Sequence, residues 1–266
     1  KTVYAPKLAR QLNEINPFYS SIEKTSRYVC GKEIRRFIKK PVLVPGIGYR
    51  SQPVEKETLL KSIYITFSFN IFSLNRVAQK DMPNLIDRYL TDSIFRAETF
   101  LSRALFESEA DSKSLTSIES IFSKFYAGEF APKIWQTADW YEIGSILDIF
   151  NTVNMILCSQ DVIQNYYEWK ERLGMSVDTV QMADGSACPV FRSVPLVANL
   201  YCPEKTLYLI DTKTFKMHQL ADWNFLENDA GKVLTIESAD SCTATFVKYT
   251  DLLCDDITKI GKIHFE

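Results

Sequence analysis

Of the residue types that carry acid–base, metal or nucleophilic chemistry, this chain has two histidines, His218 and His264, and six cysteines, Cys30, Cys158, Cys188, Cys202, Cys242 and Cys254. Imidazole titrates near neutrality and cysteine attacks as its thiolate, so a pairing such as Cys202 with His218 is the arrangement to look for. Nothing in the spacing selects it. The cysteines are scattered and form no C-x-x-C, which argues against a zinc ribbon or a redox pair, and they read as reduced, mostly buried thiols. His218 falls in FKMHQL, a strand pattern in which a hydrogen-bonded structural role is expected.

Other chemistries fare no better. The stretch PGIGYR, Pro45 to Arg50, leads into Ser-Gln-Pro and not into a helix N-terminus, so it lacks the ring of backbone amides that a phosphate cradle needs. No nucleophile elbow, P-loop, zincin or dinucleotide motif occurs. Asp255-Asp256 reads as solvated surface and not as a carboxylate dyad, and Tyr166-Tyr167 with Trp169 as core or interface, not a base-stacking platform. The expectation is a structural or binding protein with no catalytic residue, metal site or cofactor. A glycosidase-type or lyase-type site, which leaves no short motif, stays open.

The elements that would position any site are clearer. At 266 residues, 46% hydrophobic and 13% aromatic, the chain can bury a large core without a staple. No apolar run is long enough for a membrane span and the start lacks a secretion signal, so a soluble, non-exported chain is the expectation. A start at Lys1-Thr2 fits processing, truncation or an upstream continuation equally. Residues 1–26, with Pro6 and Pro17, read as an extended arm. Next, Pro41, Pro45 and Pro53 exclude a central strand and leave a long exposed hairpin. Ser62 to Ile71 alternates with period two, a half-buried strand. Asp81-Pro83 then suits a helix start, and Ile86, Leu90, Ile94, Ala97, Leu101 and Leu105 mark one stripe of a helix of about 25 residues, on the order of 38 Å.

Beyond an acidic, serine-rich loop at 107–114, helices are predicted over Leu115–Tyr126, Asp139–Phe150 and from Gln160 to a stop at Gly174, with a buried strand at Val153–Ser159. The remainder is β-rich: Ser176–Met182 and Val190–Val197 flank a turn at Asp184-Gly185, and strands follow at Thr206–Ile210, Phe215–Leu220, Lys232–Ser238 and Ala244–Leu253.

Net charge is −2, which gives no global attraction to nucleic acid, but it is unevenly spread. From Lys24 to Arg50 eight basic residues face the single acid Glu33, a local +7; from Asp222 to Asp256 eight acids face Lys232 and Lys248, a local −6. Each run taken alone reads as a solvated face.

This order of elements resembles a tailed-phage major capsid protein of the Hong Kong 97 type. The likeness rests on TVYAPKLARQL, similar to the family's N-terminal arm, and on EIRRFIKKPVLVPGIGYRSQ, similar to its E-loop hairpin. It rests most on IYITFSFNIFSLNRVAQKDMPNLIDRYLTDSIFRAETFLSRAL, similar to the strand re-entering the P domain and the spine helix after it. PVFRSVPLVANLYCPEKTLYLIDTKTFKMHQL and TFVKYTDLLCDDITKIGKIHFE resemble the A-domain strands and the closing P-domain sheet. The resemblance implies an α+β fold divided into an arm (1–26), E-loop (27–62), P domain with spine helix (63–135), A domain (136–222) and closing P-domain strands (223–266). It implies pentamers and hexamers of this chain in an icosahedral shell around packaged double-stranded DNA, with scaffolding, portal and decoration proteins as further partners. The chain would reside in the virion, and in the host cytoplasm during assembly. In that setting Arg35, Arg36, Lys39 and Lys40 are expected to meet Asp222, Glu227 and Asp229 of a neighbour. An encapsulin-like compartment shell is the alternative within the class. A soluble α/β enzyme without a motif, or a nucleic-acid-binding module using residues 24–50, is the alternative outside it.

Overall fold

The computed structural model sets the continuous apolar runs MILC and TLYLI side by side in one sheet, where both are buried on both faces. Uninterrupted runs of this kind suit strands covered by packed layers on each side. The structure describes residues 17–25, 33–44, 48–59, 61–70, 95–96, 99–107, 116–126, 134–137, 139–150, 152–182, 185–219, 224–227, 234–238, 241–256 and 259–265. Strands 33–44, 48–59, 61–70 and 234–238 are described by backbone and register alone.

In chain order the elements are α1 (Pro17–Ser21), β1 (Glu23–Thr25), β2 (Glu33–Val44), β3 (Gly48–Leu59), β4 (Lys61–Asn70), α2 (Ile118–Tyr126), β5 (Ile134–Gln136), α3 (Trp140–Ile149), β6 (Met155–Cys158) and α4 (Gln160–Arg172). There follow β7 (Thr179–Gln181), β8 (Ala187–Phe191), β9 (Val194–Ala198), β10 (Thr206–Ile210), β11 (Phe215–Gln219), β12 (Asn224–Phe225), β13 (Leu234–Ser238), β14 (Ser241–Cys254) and β15 (Gly261–His264).

Seven strands form one sheet in the order β5-β15-β10-β6-β9-β8-β7. One face, with Ile156, Cys158, Leu207 and Leu209, packs on α3 and α4 through Trp140, Ile143, Val162 and Tyr166. The other, with Met155, Leu157, Tyr208 and Ile210, meets a second core holding Leu101, Leu105, Ile118, Phe122 and Phe215. Each fully buried apolar side chain contributes about 1.5–3 kcal/mol, so this doubly covered sheet is the stable centre of the chain.

The second sheet is organised by β14, which takes β4 along one side and β13, β12 and β11 in succession along the other. The expected alternation in β4 matches its register: Ile65 lies opposite Phe246, which is fully buried, with Ile63, Phe67 and Phe69 at positions of the same face. β11 joins β14, apart from β6 to β10, which lie in the seven-stranded sheet, while β15 leaves β14 to lie between β10 and β5.

Three local expectations hold in detail. The helix expected from near Asp139 begins there as α3, and Asp139 caps it by accepting from the Tyr141 amide at 2.9 Å. α4 ends at Gly174 with φ +66°, where the Gly174 amide donates to Glu171 O and the Met175 amide to Lys170 O, the paired bonds of a Schellman stop. Cys158, Cys188, Cys202 and Cys254 are buried thiols, and burial pushes the Cys158 and Cys202 thiols up, away from the thiolate. Residues 99–104 are helical with Leu101 and Leu105 in the core, whereas the start of the long helix at Asp81-Pro83, its stripe from Ile86 to Ile94, the acidic loop and Cys30 lie outside the described residues.

Four expectations need correction. Residues 17–25 are packed and not extended: Pro17 opens a short helix whose Phe18 stacks edge-on against Phe215, Tyr19 donates to Leu101 O at 3.0 Å, and β1 adds parallel to β11. Val190 to Val197 is two strands. Arg192 (φ +48°) and Ser193 (φ +68°) make a two-residue reversal between Phe191 and Val194, a geometry usually flagged by Asn-Gly. Here the turn is held from outside, because the Arg192 guanidinium donates to Gly144 O at 2.9 Å and pairs with Asp148 at 2.8 Å. Gly144 is required for that contact, since a Cβ there would lie 2.4 Å from Arg192 Cζ.

The acidic run 222–256 is no solvated face over its described C-terminal part. Asp251 is buried and accepts from the Thr116 amide and hydroxyl at 2.8 and 2.9 Å, Asp255 pairs with Lys216 at 3.1 Å, and Asp256 is buried. Asp255-Asp256 is accordingly neither solvated surface nor a dyad; Asp255 is half-buried in an ion pair. Carboxylates accept several hydrogen bonds at once, so they pin strand ends and loops together where the chain leaves a sheet.

At the end of β15, burial and then the Lys262 ammonium hold the His264 imidazole below its ordinary value of 6.5, with Glu119 opposing. The folded chain thus prefers the neutral ring, and this contribution is present above about pH 6.5 and fades as pH falls through the lowered value. Replacing His264 by Gln is expected to shrink the loss of stability between pH 7.5 and pH 5, read from urea midpoints at the two pH values; an unchanged loss would show that the acid sensitivity lies elsewhere.

Candidate assembly surfaces

Two surfaces stand out. β2 and β3 pair antiparallel over twelve residue pairs, from Glu33 opposite Leu59 to Val44 opposite Gly48, and form a two-stranded sheet of their own. Directly paired residues share a face, so this register sorts the charges. One face carries Glu33, Arg35, Lys39, Glu55 and Glu57, with Arg35 opposite Glu57. The other carries Arg36, Lys40, Arg50 and Lys56 and no acid, interleaved with Ile34, Ile38, Val42 and Val54. The four basic residues that the sequence groups together are therefore split two and two. By register Arg35 and Lys39 share a face with acids of their own hairpin; Arg36 and Lys40 share the face on which the hairpin carries no acid, with Arg36 directly opposite Lys56.

Of the acids expected to receive them, Glu227 is exposed just after β12, where the Leu226 amide donates to Thr245 O. Asp222 and Asp229 lie outside the described residues. Glu227 is thus the acid whose position can be compared with the hairpin.

The second surface was not legible as a site. Trp140, Tyr166, Trp169 and Phe191 stack on one another with ring centroids 4.8 to 6.4 Å apart, and an open cleft of about 520 Å³ lies over them, bordered by Tyr141, Lys170 and Asp178. Trp140 donates to Asn165 at 3.0 Å and Tyr166 to Val190 O at 2.7 Å, which fixes the floor. Burial pushes the Tyr166 hydroxyl up to about 12, so that floor is uncharged. The signal in the sequence was the density of aromatics at 140–141 and 166–169, which periodicity assigns to core without separating the partly exposed members.

His218 lies in β11, buried, where Thr250 donates to its backbone carbonyl at 2.7 Å. Among the described residues no group of three or more His, Cys, Asp or Glu has the geometry of a metal site, and no helix is long and apolar enough to cross a membrane.

The architecture matches solved shells along nearly its whole length. It overlays on the capsid of a native GTA particle with TM-score 0.60 at 11% identity, covering 94% of this chain and 90% of that one. It overlays on the capsid of cyanophage A-1(L) with TM-score 0.60 at 11% identity, covering 96% and 92%. The chain has the Hong Kong 97-type capsid fold. The SrpI encapsulin of Synechococcus elongatus PCC 7942 also shares this capsid fold, at TM-score 0.59 and 12% identity over 94% and 88% of the two chains. No family model matches the chain and no curated protein matches it by sequence. At such identities the likeness is one of fold, whereas the resemblance in the sequence rested on element order and residue type.

Proposed function

We propose that this chain is the major capsid protein of a tailed phage, assembling as pentamers and hexamers into an icosahedral head around packaged double-stranded DNA. The observation that carries this is the match to capsid chains over more than nine-tenths of this chain and about nine-tenths of theirs. The hairpin supports it. A two-stranded ribbon is marginal in water by itself, and one with like charges directly opposed is more so, which makes sense for a segment completed by a neighbour.

On this reading residues 1–26 are the arm, 27–62 the E-loop, 63–135 the P domain with its spine helix, 136–222 the A domain and 223–266 the closing P-domain strands. Arg36 and Lys40 lead the contact with Glu227, Asp222 and Asp229 of a neighbour, and Arg35 and Lys39 flank it. The role is structural and not catalytic, the location is the virion after assembly in the host cytoplasm, and scaffolding, portal and decoration proteins are the further partners.

An encapsulin-like compartment is the second reading, favoured by the SrpI match. Negative-stain microscopy of the expressed chain, with and without a scaffolding partner, is expected to show capsomers or closed shells. A monomer at high concentration under every condition would overturn both readings. Nuclease-protected DNA inside particles from infected cells supports the phage head; enclosed protein cargo supports the compartment.

A further inference from the structure

The most exposed large apolar side chain among the described residues is Leu200, at 86%. It stands on a turn that is braced at several points. The Asn199 side chain accepts from the Tyr201 amide at 2.9 Å, the Cys202 amide donates to Asn199 O at 3.1 Å, and the Lys205 amide donates to Asp161 at 2.9 Å. Cys202 is buried beneath it and Lys205 adopts φ +51°. A leucine presented this way has already given up most of the freedom that binding would otherwise cost, so it is preorganised as an anchor.

The aromatic cleft lies at the other end of the same strand. β9 leaves the Arg192-Ser193 reversal at the cleft's edge and reaches the Leu200 turn about 16 Å later. The two ends are complementary in kind. The turn offers one apolar knob with exposed Glu204 and Lys205 beside it; the cleft offers an aromatic floor with Lys170, Asp178 and Arg192 at its rim, Arg192 being paired with Asp148. A knob at one end of a subunit and a matching hollow at the other is the arrangement from which head-to-tail contacts close into rings.

We propose that the Leu200 turn of one copy seats in the Trp140–Trp169–Phe191 cleft of the next copy in a capsomer, with Glu204 facing Lys170 and Lys205 facing Asp178. This contact rests on the shell reading and specifies which surfaces form its rings. It assigns the cleft to protein: a second copy carries both the knob and the opposite charges.

The test is site-directed cross-linking of the full chain under assembly conditions. The double variant Leu200→Cys/Ser193→Cys is expected to give, on mild oxidation, a disulfide ladder reaching five or six copies on a non-reducing gel, while each single variant gives no ladder. Leu200→Asp is expected to weaken capsomer formation by on the order of 10-fold or more, as for a central interface anchor, with an unchanged melting temperature because the side chain is exposed. Glu204→Lys is expected to weaken it too, and Lys170→Glu in the same chain to restore it. Particles that form normally without the ladder, or with Leu200→Asp indistinguishable from the parent, would overturn this contact and leave the shell reading standing. A parent chain that never oligomerises would overturn both.

Discussion

On the proposed shell reading, reversing Arg36 and Lys40 to glutamate is expected to abolish shell formation in a protein that still folds, whereas neutralising Arg35 and Lys39 with glutamine is expected to leave shells in place. The asymmetry follows from register. Arg35 and Lys39 share their face with Glu33, Glu55 and Glu57, so their charge is answered within the hairpin. Arg36 and Lys40 share theirs with the cations Arg50 and Lys56 and with no acid of the hairpin, and the proposed acidic surface of a neighbour would answer that charge. A single exposed pair contributes about 0.2–1 kcal/mol, which decides nothing in a monomer. Two reversals per hairpin turn attraction into repulsion at every copy of the contact in the shell, and like-charge juxtaposition across an interface costs several kcal/mol. Within the hairpin the change runs the other way, because Arg36→Glu gives Lys56 an opposite partner across the strands. Loss of assembly would then reflect the interface and not a broken hairpin. Microscopy and sedimentation of the parent, Arg36→Glu/Lys40→Glu, Arg36→Gln/Lys40→Gln and Arg35→Gln/Lys39→Gln decide it: assembly should fall in the second and third only, and high salt should weaken the parent's shells. Equal effects at the two pairs would overturn the assignment of faces.

Why the sequence could not make that distinction is instructive. Prolines at 41, 45 and 53 identify an exposed ribbon, but which basic residues share a face depends on how many residues the turn consumes, and a shift of one residue moves a whole set across. The same limit hides the Arg192-Ser193 turn, which carries no glycine or asparagine because its conformation is imposed by Gly144 and Asp148, 48 and 44 residues away. Elements that are locally self-consistent were legible: the helix start at Asp139, the Gly174 stop and the alternation of Ile63 to Phe69. Burial of charge was not, since Asp251 looks the same in sequence whether it faces solvent or accepts from Thr116. The cleft escaped for a related reason. Trp140 and Trp169 are partners of one core cluster, and only their placement leaves an open hollow above them.

Removing one carboxylate tests how α2 is tied to the seven-stranded sheet. Glu119 on α2 accepts from the Lys262 ammonium at 2.5 Å and from the Tyr208 hydroxyl, and the ammonium lies 5.4 Å from the Tyr208 ring centroid. Lys262 is nearly buried and Glu119 about a third exposed, so the pair links a helix of one core to β10 and β15 of the seven-stranded sheet. Burial and this hydrogen bond hold the Tyr208 hydroxyl firmly protonated, well above the ordinary tyrosine range. Glu119→Ala strands a buried ammonium, a defect that costs 3–5 kcal/mol when both partners are fully buried; with Glu119 partly exposed, about 2–3 kcal/mol is expected. For a chain of this size that is a drop of roughly 4–12 °C in melting temperature. Glu119→Gln keeps an acceptor for both donors and should lose less. The decisive comparison is Glu119→Leu/Lys262→Met, which removes both charges and fills the space with apolar atoms, and is expected to recover most of the stability. If the double variant melts as low as Glu119→Ala, the defect is the packing of α2 against the sheet and not an uncompensated charge. Because β10 leads from the Leu200 turn and α2 packs on its Tyr208 face, loosening this tie should, on the proposed shell reading, also lower shell yield below the melting transition, which microscopy of Glu119→Ala at 25 °C would detect.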